Sequence, residues 1–217
     1  MSEVKQPPLK KVKNTVPKMK KMKKEVDPFS QIGTYQQVQD KDIEALLIKH
    51  NLTKDEVIND NVLVSKLYKK REKEAVAKYN RYVKNVEILE MTSQGDGMGL
   101  IDSIFDNKTK QVIIIPFGLV GDVVNAQIHT TQNLAVIADL VDLVKEGPTR
   151  DNSLINCKYF GICQGCNYQH TSYENQMQLK KKTIVNAYKY FAPSIYKGIV
   201  DRDQFLDVVD SPNHYHY

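Results

Sequence analysis

The feature that most constrains this 217-residue chain is the block from residue 83 to residue 146, where short β-type runs alternate with turn residues. Val86, Ile88 and Leu89 begin the first run, and Leu100–Phe105 forms the second, closed by Asp106-Asn107-Lys108. Gln111–Ile115 is the third and is nearly all β-branched, Val123–Ile128 alternates as a half-buried strand, and Leu134–Val144 supplies the last. Between them lie Gly95-Asp96-Gly97-Met98-Gly99, where glycine permits a tight or bulged connection, and the turn segment Pro116–Asp122. Five short strands in about 60 residues fit a small closed barrel of the OB type. The pattern alone fits a small SH3-like barrel equally well. Such a barrel leaves two thirds of the chain to be explained.

Ahead of the barrel, residues 36–84 read as helical. Ile43, Leu46 and Leu47 share a face after Asp40, a plausible N-cap, and Asn51 ends that helix. Thr53 and Glu56 form a capping box that opens a second helix. A third is expected from about Val62 to Tyr82, with Val64, Leu67, Tyr68, Ala75 and Tyr79 as its apolar positions. Its broad polar face carries Lys66, Lys69, Lys70 and Arg71. That surplus of positive charge reads either as a phosphate-contacting surface or as a solvated helix face.

The formal net charge of +5 would by itself point to an acidic partner, but its distribution changes the meaning. Residues 1–24 hold nine lysines and one acid, Glu3; the remaining residues hold 22 basic and 25 acidic side chains. The body is slightly acidic, so a nucleic-acid surface there must be local. Residues 1–35 read as a disordered Lys-rich tail: a nuclear address, an RNA tether, or a solvated tail without a partner. It has no apolar core of a secretory signal, and no stretch of the chain approaches the ~20 apolar residues of a membrane span. We expect an intracellular monomer in nucleus or cytoplasm, with the mitochondrion as an alternative.

All three cysteines fall within ten residues, as Cys157-x5-Cys163-x2-Cys166. An odd number so clustered is a poor disulfide set. The spacing of Cys163 and Cys166 lets two thiolates face one ion, with Gly161 and Gly165 easing the turn. A zinc site needs four ligands, and His170, four residues after Cys166, could complete a Cys3His set. An iron–sulfur cluster needs four cysteines. Spacing does not decide between zinc, iron–sulfur and three unligated thiols. Thr171 and Glu174 form a second capping box, opening a helix to about Tyr190 with Tyr173, Met177, Ile184 and Ala187 as candidate core contacts. Lys180, Lys181 and Lys182 lie on it as further RNA-contact candidates. Phe205–Val209 reads as the start of a strand.

Taken together, these residues resemble a known family. Residues 86–144, through Gly95–Leu100 and Val112–Val124, resemble a TRAM domain, a small RNA-binding barrel appended to RNA-modifying enzymes. Cys157–His170 is similar to the cluster loop of the class I RNA uracil-5-methyltransferases. Tyr173, Gln176, Leu179 and Lys180–Lys182 also fit that family's next helix, and Ser211-Pro212 fits the opening of its next domain. The extra N-terminal helices and tail resemble the eukaryotic, fungal-like tRNA uracil-54 branch. The resemblance implies a tRNA or other RNA partner, and a 4Fe–4S site of which Cys157, Cys163 and Cys166 are three ligands. It also implies S-adenosylmethionine as the methyl donor of the full-length enzyme. The family's catalytic cysteine, its base and its S-adenosylmethionine loop have no counterpart here. We therefore expect no catalytic residue in these 217 residues, and an α+β chain interrupted before the chemistry: tail (1–35), helical segment (36–84), OB-like barrel (85–146), cysteine loop and helix (147–192), and the start of a further domain (193–217).

Overall fold

The computed structural model describes residues 33–57, 79–103, 109–132, 134–163, 165–200 and 207–213. The tail and most of the expected third helix, including Lys66, Lys69, Lys70 and Arg71, lie outside the described residues.

Helix α1 spans Tyr35–Lys49. It begins earlier than the apolar stripe implied: the N-cap is Thr34, whose side chain accepts from the Gln37 amide, rather than Asp40. Asn51, just past the helix, takes a left-handed backbone (φ 56°), a conformation asparagine tolerates better than most residues. Glu56 Oε2 then accepts from the Thr53 amide at 2.6 Å, the reciprocal half of the expected capping box.

The sheet follows, with β1 Tyr82–Glu87, β2 Glu90–Met91, β3 Gly97–Asp102, β4 Lys110–Ile115, β5 Val123–Thr131 and β6 Ala135–Lys145. Tyr82 thus opens a strand instead of closing a helix. All five expected runs are present; six strands result because the first run is divided at Ile88-Leu89. The ladder order is β1-β5-β6-β4-β3-β2, with β4 and β6 parallel and every other pair antiparallel. The hydrogen-bonded ladder is not closed. Yet its two edges, β1 and β2, are consecutive in the chain, and the link between them bonds to both sides: Ile88 N–H donates to Asp122 O and Leu89 N–H to Met98 O. The curl this demands brings β3 against β1, and Gly99 makes it feasible. A Cβ there would lie 2.5 Å from Glu87 O.

Two apolar clusters share β4. Ile113 and Ile115 point into the curled sheet with Val86, Ile88, Val124, Ala126, Ile128 and Val136. Val112 and Ile114 point the other way, under Ile43, Leu46 and Leu47 of α1 and against Met98 and Ala135. A strand buried on both faces needs a continuous apolar run rather than an alternating one, and that is what 112–115 supplies. At about 1.5–3 kcal/mol for each fully buried aliphatic side chain, α1 is an integral part of the body and shields the outer face of β4.

After β6 come a 3-10 turn, Asn152–Leu154, the cysteine loop, α2 (Tyr173–Phe191) and α3 (Pro193–Val200). The N-cap of α2 is Ser172, accepting from the Asn175 amide at 3.2 Å, not Thr171. Thr171 instead donates its hydroxyl to Thr149 O at 2.6 Å. Neither helix buries a residue fully. The expected core contacts are weaker than anticipated: Tyr173 and Met177 are half-buried, while Ile184 and Ala187 are exposed. Residues 207–210 form no strand; Val209 is 91% exposed, and Ser211 N–H donates to the Tyr173 hydroxyl. No helix among the described residues is long and apolar enough to cross a membrane.

Candidate nucleic-acid interface and the cysteine loop

The cysteine loop is fastened to the barrel at two places. The first is the turn between β4 and β5. Phe117 sits there in a left-handed conformation (φ 63°), which turns its carbonyl toward the loop. Arg150 Nη2 donates to that oxygen at 2.6 Å and His170 Nε2 at 3.0 Å. Arg150 also forks onto Asp122, whose carboxylate is completely buried and also accepts from the amides of Leu119 and Gly147. The Phe160 ring lies edge-on to Phe117 at 5.2 Å and tilted against His170 at 5.0 Å. The second fastening is the Gly95 turn. Asn167 Nδ2 donates to Gln94 O, and Tyr168 packs where a side chain on Gly95 would be.

Inside the loop, Gln169 Oε1 accepts from the amides of Asn156 and Cys157 at 3.2 and 3.1 Å. Cys163 N–H donates to Tyr159 O at 2.8 Å and Phe160 N–H to Cys157 O at 3.0 Å, closing a tight turn. Cys157 and Cys166 are half-buried and Cys163 is exposed; none is in a disulfide. Among the described residues, no three His, Cys, Asp or Glu side chains are gathered so as to hold a metal ion. His170 does not join the thiols. It is fully buried, and its Nε2 is committed to Phe117 O. Burial, with Arg150 nearby, lowers its pKa to about 4, so the ring is neutral and carries its proton on Nε2.

The lysines on α2 have different surroundings. Lys181 Nζ pairs with Asp207 at 2.6 Å. Lys182 Nζ meets Glu90 at 2.8 Å, and Lys49 of α1 meets the other oxygen of the same carboxylate at 2.5 Å. Burial alone would raise the Glu90 pKa, but the two ammonium groups outweigh it and hold the carboxyl below its usual range. Lys180 is exposed and has no ion-pair partner among the described residues. Beside this cluster, Asp42 accepts from the Ser93 amide and hydroxyl at 2.7 and 2.9 Å and from Tyr190, tying α1, the barrel and α2 together. Desolvation raises the Asp42 pKa.

A cavity of about 630 Å³ opens along the seam between the barrel and the cysteine loop. Tyr35, Phe117, Ile137, Leu140 and Ile162 give it apolar walls; Gln94, Asp96, Asp139 and Asn167, whose Nδ2 is already committed to Gln94 O, are its polar lining. Elsewhere on the cysteine loop, Lys158 lies 4.9 Å over the exposed Tyr159 ring. Sequence reading named Asp96 and Asp122 only as members of turn segments, and did not single out Arg150 or Tyr35. One signal was available for Arg150: it is one of only four arginines in a chain whose other cations are lysines, and arginine is the cation suited to a buried fork.

Residues 77–141 match the model of the TRAM domain, an RNA-binding barrel. The chain is similar to the tRNA (uracil(54)-C(5))-methyltransferase of Saccharomyces cerevisiae, 42% identical over 180 residues, which is 82% of this chain and 28% of that protein. It is 33% identical over 135 residues to the enzyme of the same name from Schizosaccharomyces pombe, covering 61% of this chain and 24% of the relative. It is also 31% identical over 109 residues to the 23S rRNA (uracil(1939)-C(5))-methyltransferase of Francisella tularensis, covering 50% and 22%. The chain spans about a quarter of the length of these relatives. The class is that of proteins carrying a TRAM domain, with an OB-like β fold. Beyond that domain, the matched stretch is similar to tRNA uracil-5-methyltransferases over up to 180 residues.

Proposed function

We propose that this chain is the RNA-binding portion of an S-adenosylmethionine-dependent tRNA (uracil-5-)-methyltransferase, the methyl transfer itself requiring residues that these 217 do not include. The observation that carries this reading is the continuity of the body. The stretch similar to the S. cerevisiae enzyme runs for 180 residues, and within the described part the TRAM barrel, the cysteine loop and α2 are joined by the Asp122–Arg150–Phe117 network and the Asp42–Ser93–Tyr190 contact. The RNA would lie against this body, with Lys180–Lys182 and the cationic positions Lys66, Lys69, Lys70 and Arg71 facing phosphate. Cys157, Cys163 and Cys166 would converge as three thiolates of a four-thiolate iron–sulfur site, the fourth thiolate coming from outside this sequence.

Binding of a labelled tRNA across a salt series tests the reading. Affinity should fall steeply with salt, as expected where phosphates displace counterions. Binding should survive deletion of residues 1–35 if the body holds the RNA, and disappear if only the tail does. No binding even at low salt would overturn the proposal. Anaerobic purification tests the cysteine assignment, since a broad absorbance near about 400 nm would accompany a cluster. Methyl transfer to tRNA by this chain alone would overturn the placement of the chemistry outside it.

A further inference from the structure

The cavity between the Gly95 turn, Phe117 and the cysteine loop has a polarity unlike that of a phosphate site. Its lining includes two aspartates and no cation. The Asp96 carboxylate has no hydrogen-bond or ion-pair partner among the described residues, and burial raises its pKa. Beside it in the chain, Gln94 Oε1 is buried and unpartnered. A buried acceptor without a donor is costly, so Gln94 Oε1, with the partly buried Asp96 carboxylate two residues on, marks a place for a ligand that brings donors. The walls are aromatic and aliphatic, with Tyr35 59% exposed at the mouth and Ile162 83% exposed on the loop. The occupant therefore has apolar faces, N–H donors along an edge, and no anionic group inside the cavity.

Among nucleobases, guanine alone presents two adjacent donors, N1–H and the N2 amine, along its Watson–Crick edge, a geometry that matches the two oxygens of one carboxylate. Adenine and cytosine place a ring acceptor beside their amine, and uracil flanks its single N–H with carbonyls. Resting on the RNA-binding reading above, we propose that this cavity receives an unstacked guanine of the bound RNA, with Asp96 accepting from its Watson–Crick edge, Gln94 offering a further acceptor and Tyr35 packing against its face. The adjoining phosphates stay outside the cavity, whose lining carries no cation.

The test uses the full chain and three single-stranded oligonucleotides of equal length: a uridine tract, the same tract with one guanosine, and the same with inosine at that position, which lacks only the 2-amino group. The guanosine strand should bind about tenfold more tightly than the inosine strand, the discrimination expected of a good bidentate base contact. Asp96→Asn should abolish that difference while leaving uridine-tract binding and its salt dependence unchanged. Tyr35→Ala, at an exposed position, should weaken the guanosine strand selectively and stands in if Asp96→Asn melts early. Equal binding of guanosine and inosine strands by a chain that still binds tRNA overturns the guanine site and leaves the RNA-binding reading intact. Failure to bind any of these RNAs at low salt overturns the RNA-binding reading instead. An Asp96-dependent affinity for a Lys/Arg-rich peptide, together with equal guanosine and inosine binding, would assign the cavity to a protein partner and also overturn the proposal.

Discussion

Arg150 Nη2 lies 2.6 Å from Asp122 Oδ2, and the carboxylate it meets is fully buried. The two residues stand 28 apart in sequence, one in the turn entering β5 and the other at the start of the cysteine segment. Arg150 also bonds Phe117 O and Asn152 Oδ1, so one guanidinium fixes a strained turn and the loop that docks on it. Removing one partner of a buried pair leaves an uncompensated charge, which typically costs about 3–5 kcal/mol. Arg150→Ala should therefore destabilise by that order in denaturant titration. Arg150→Lys should recover only part of the loss, because an ammonium cannot reach Asp122 and Phe117 O as a fork does. Loss of less than 1 kcal/mol in Arg150→Ala would remove this pair from its central position.

Gly95 should be as sensitive for a different reason. Its φ is +102°, and an added Cβ would sit 2.6 Å from the Tyr168 hydroxyl and 3.0 Å from Asn167 Nδ2. Gly95→Ala thus combines backbone strain with displacement of the segment behind Cys166, for an expected cost of about 1–3 kcal/mol. Tyr168→Phe in the same chain removes the atom that clashes most and should restore part of that cost. Thermal melts of the single and double variants check this. Identical melts for both would show that the contact contributes nothing and strain everything.

His170 makes acid stability readable. The unfolded chain takes up a proton on this imidazole below about pH 6.5, whereas the folded chain resists until about pH 4. Between those values the unfolded state binds more protons, so stability falls as pH drops through the window and returns as pH rises. The effect should reach about 2 kcal/mol between pH 7 and 4.5. His170→Gln can keep a donor for Phe117 O but has no proton to gain, so its stability should be flatter with pH than the parent's. The difference between the two curves isolates His170 from Asp42 and Asp96, whose raised values act in the opposite direction. Parallel curves would exclude His170 as the source.

What the sequence made legible follows from the range of the forces involved. The run 111–115 could be read as a strand because β-branched residues buried on both faces leave an uninterrupted signal. Thr53 and Glu56 could be read as a cap because both partners lie within one turn. The front of α1 could not: its first residues are polar, and Gln39 and Asp42 are buried there, Asp42 accepting from Ser93, 51 residues away. Tyr82 looked helical because the cationic stretch before it carries a helical spacing, and strand pairing with Gln127 decides otherwise. On α2 the apolar positions were visible, but periodicity names a face without saying what covers it. The cavity was illegible altogether, since its lining comes from five separate stretches of chain.

The Asp42 junction gives a further expectation. Tyr190 donates to a carboxylate that is 2% exposed, and burial, with that carboxylate beside it, raises the pKa of the phenol. Tyr190→Phe leaves Asp42 with only its Ser93 donors and should cost about 1.5–3 kcal/mol, a typical loss for a hydrogen bond to a charged group. Because the contact joins α2 to the barrel, amide exchange should quicken near Ser93 and along α2 while the strands facing Ile113 and Ile115 stay protected. Uniform acceleration throughout the chain would mean that the junction is not a separable unit.

The three lysines of α2 should differ in what they contribute to RNA. Lys182 already shares Glu90 with Lys49, and Lys181 faces Asp207, so an incoming phosphate competes with a carboxylate at both. Lys180 has no such competitor among the described residues. Lys180→Ala should therefore weaken tRNA binding and lower the slope of log affinity against log salt by about 1, the signature of one lost phosphate contact. Lys182→Ala should change the slope less, and its stability effect should stay within about 1 kcal/mol because the pair it breaks is largely exposed. Titration of the three proteins over the same salt series separates these outcomes. An unchanged slope for Lys180→Ala would take α2 out of the RNA-binding surface and leave the positions outside the described residues, or the exposed Lys158 of the cysteine loop, to carry the phosphates.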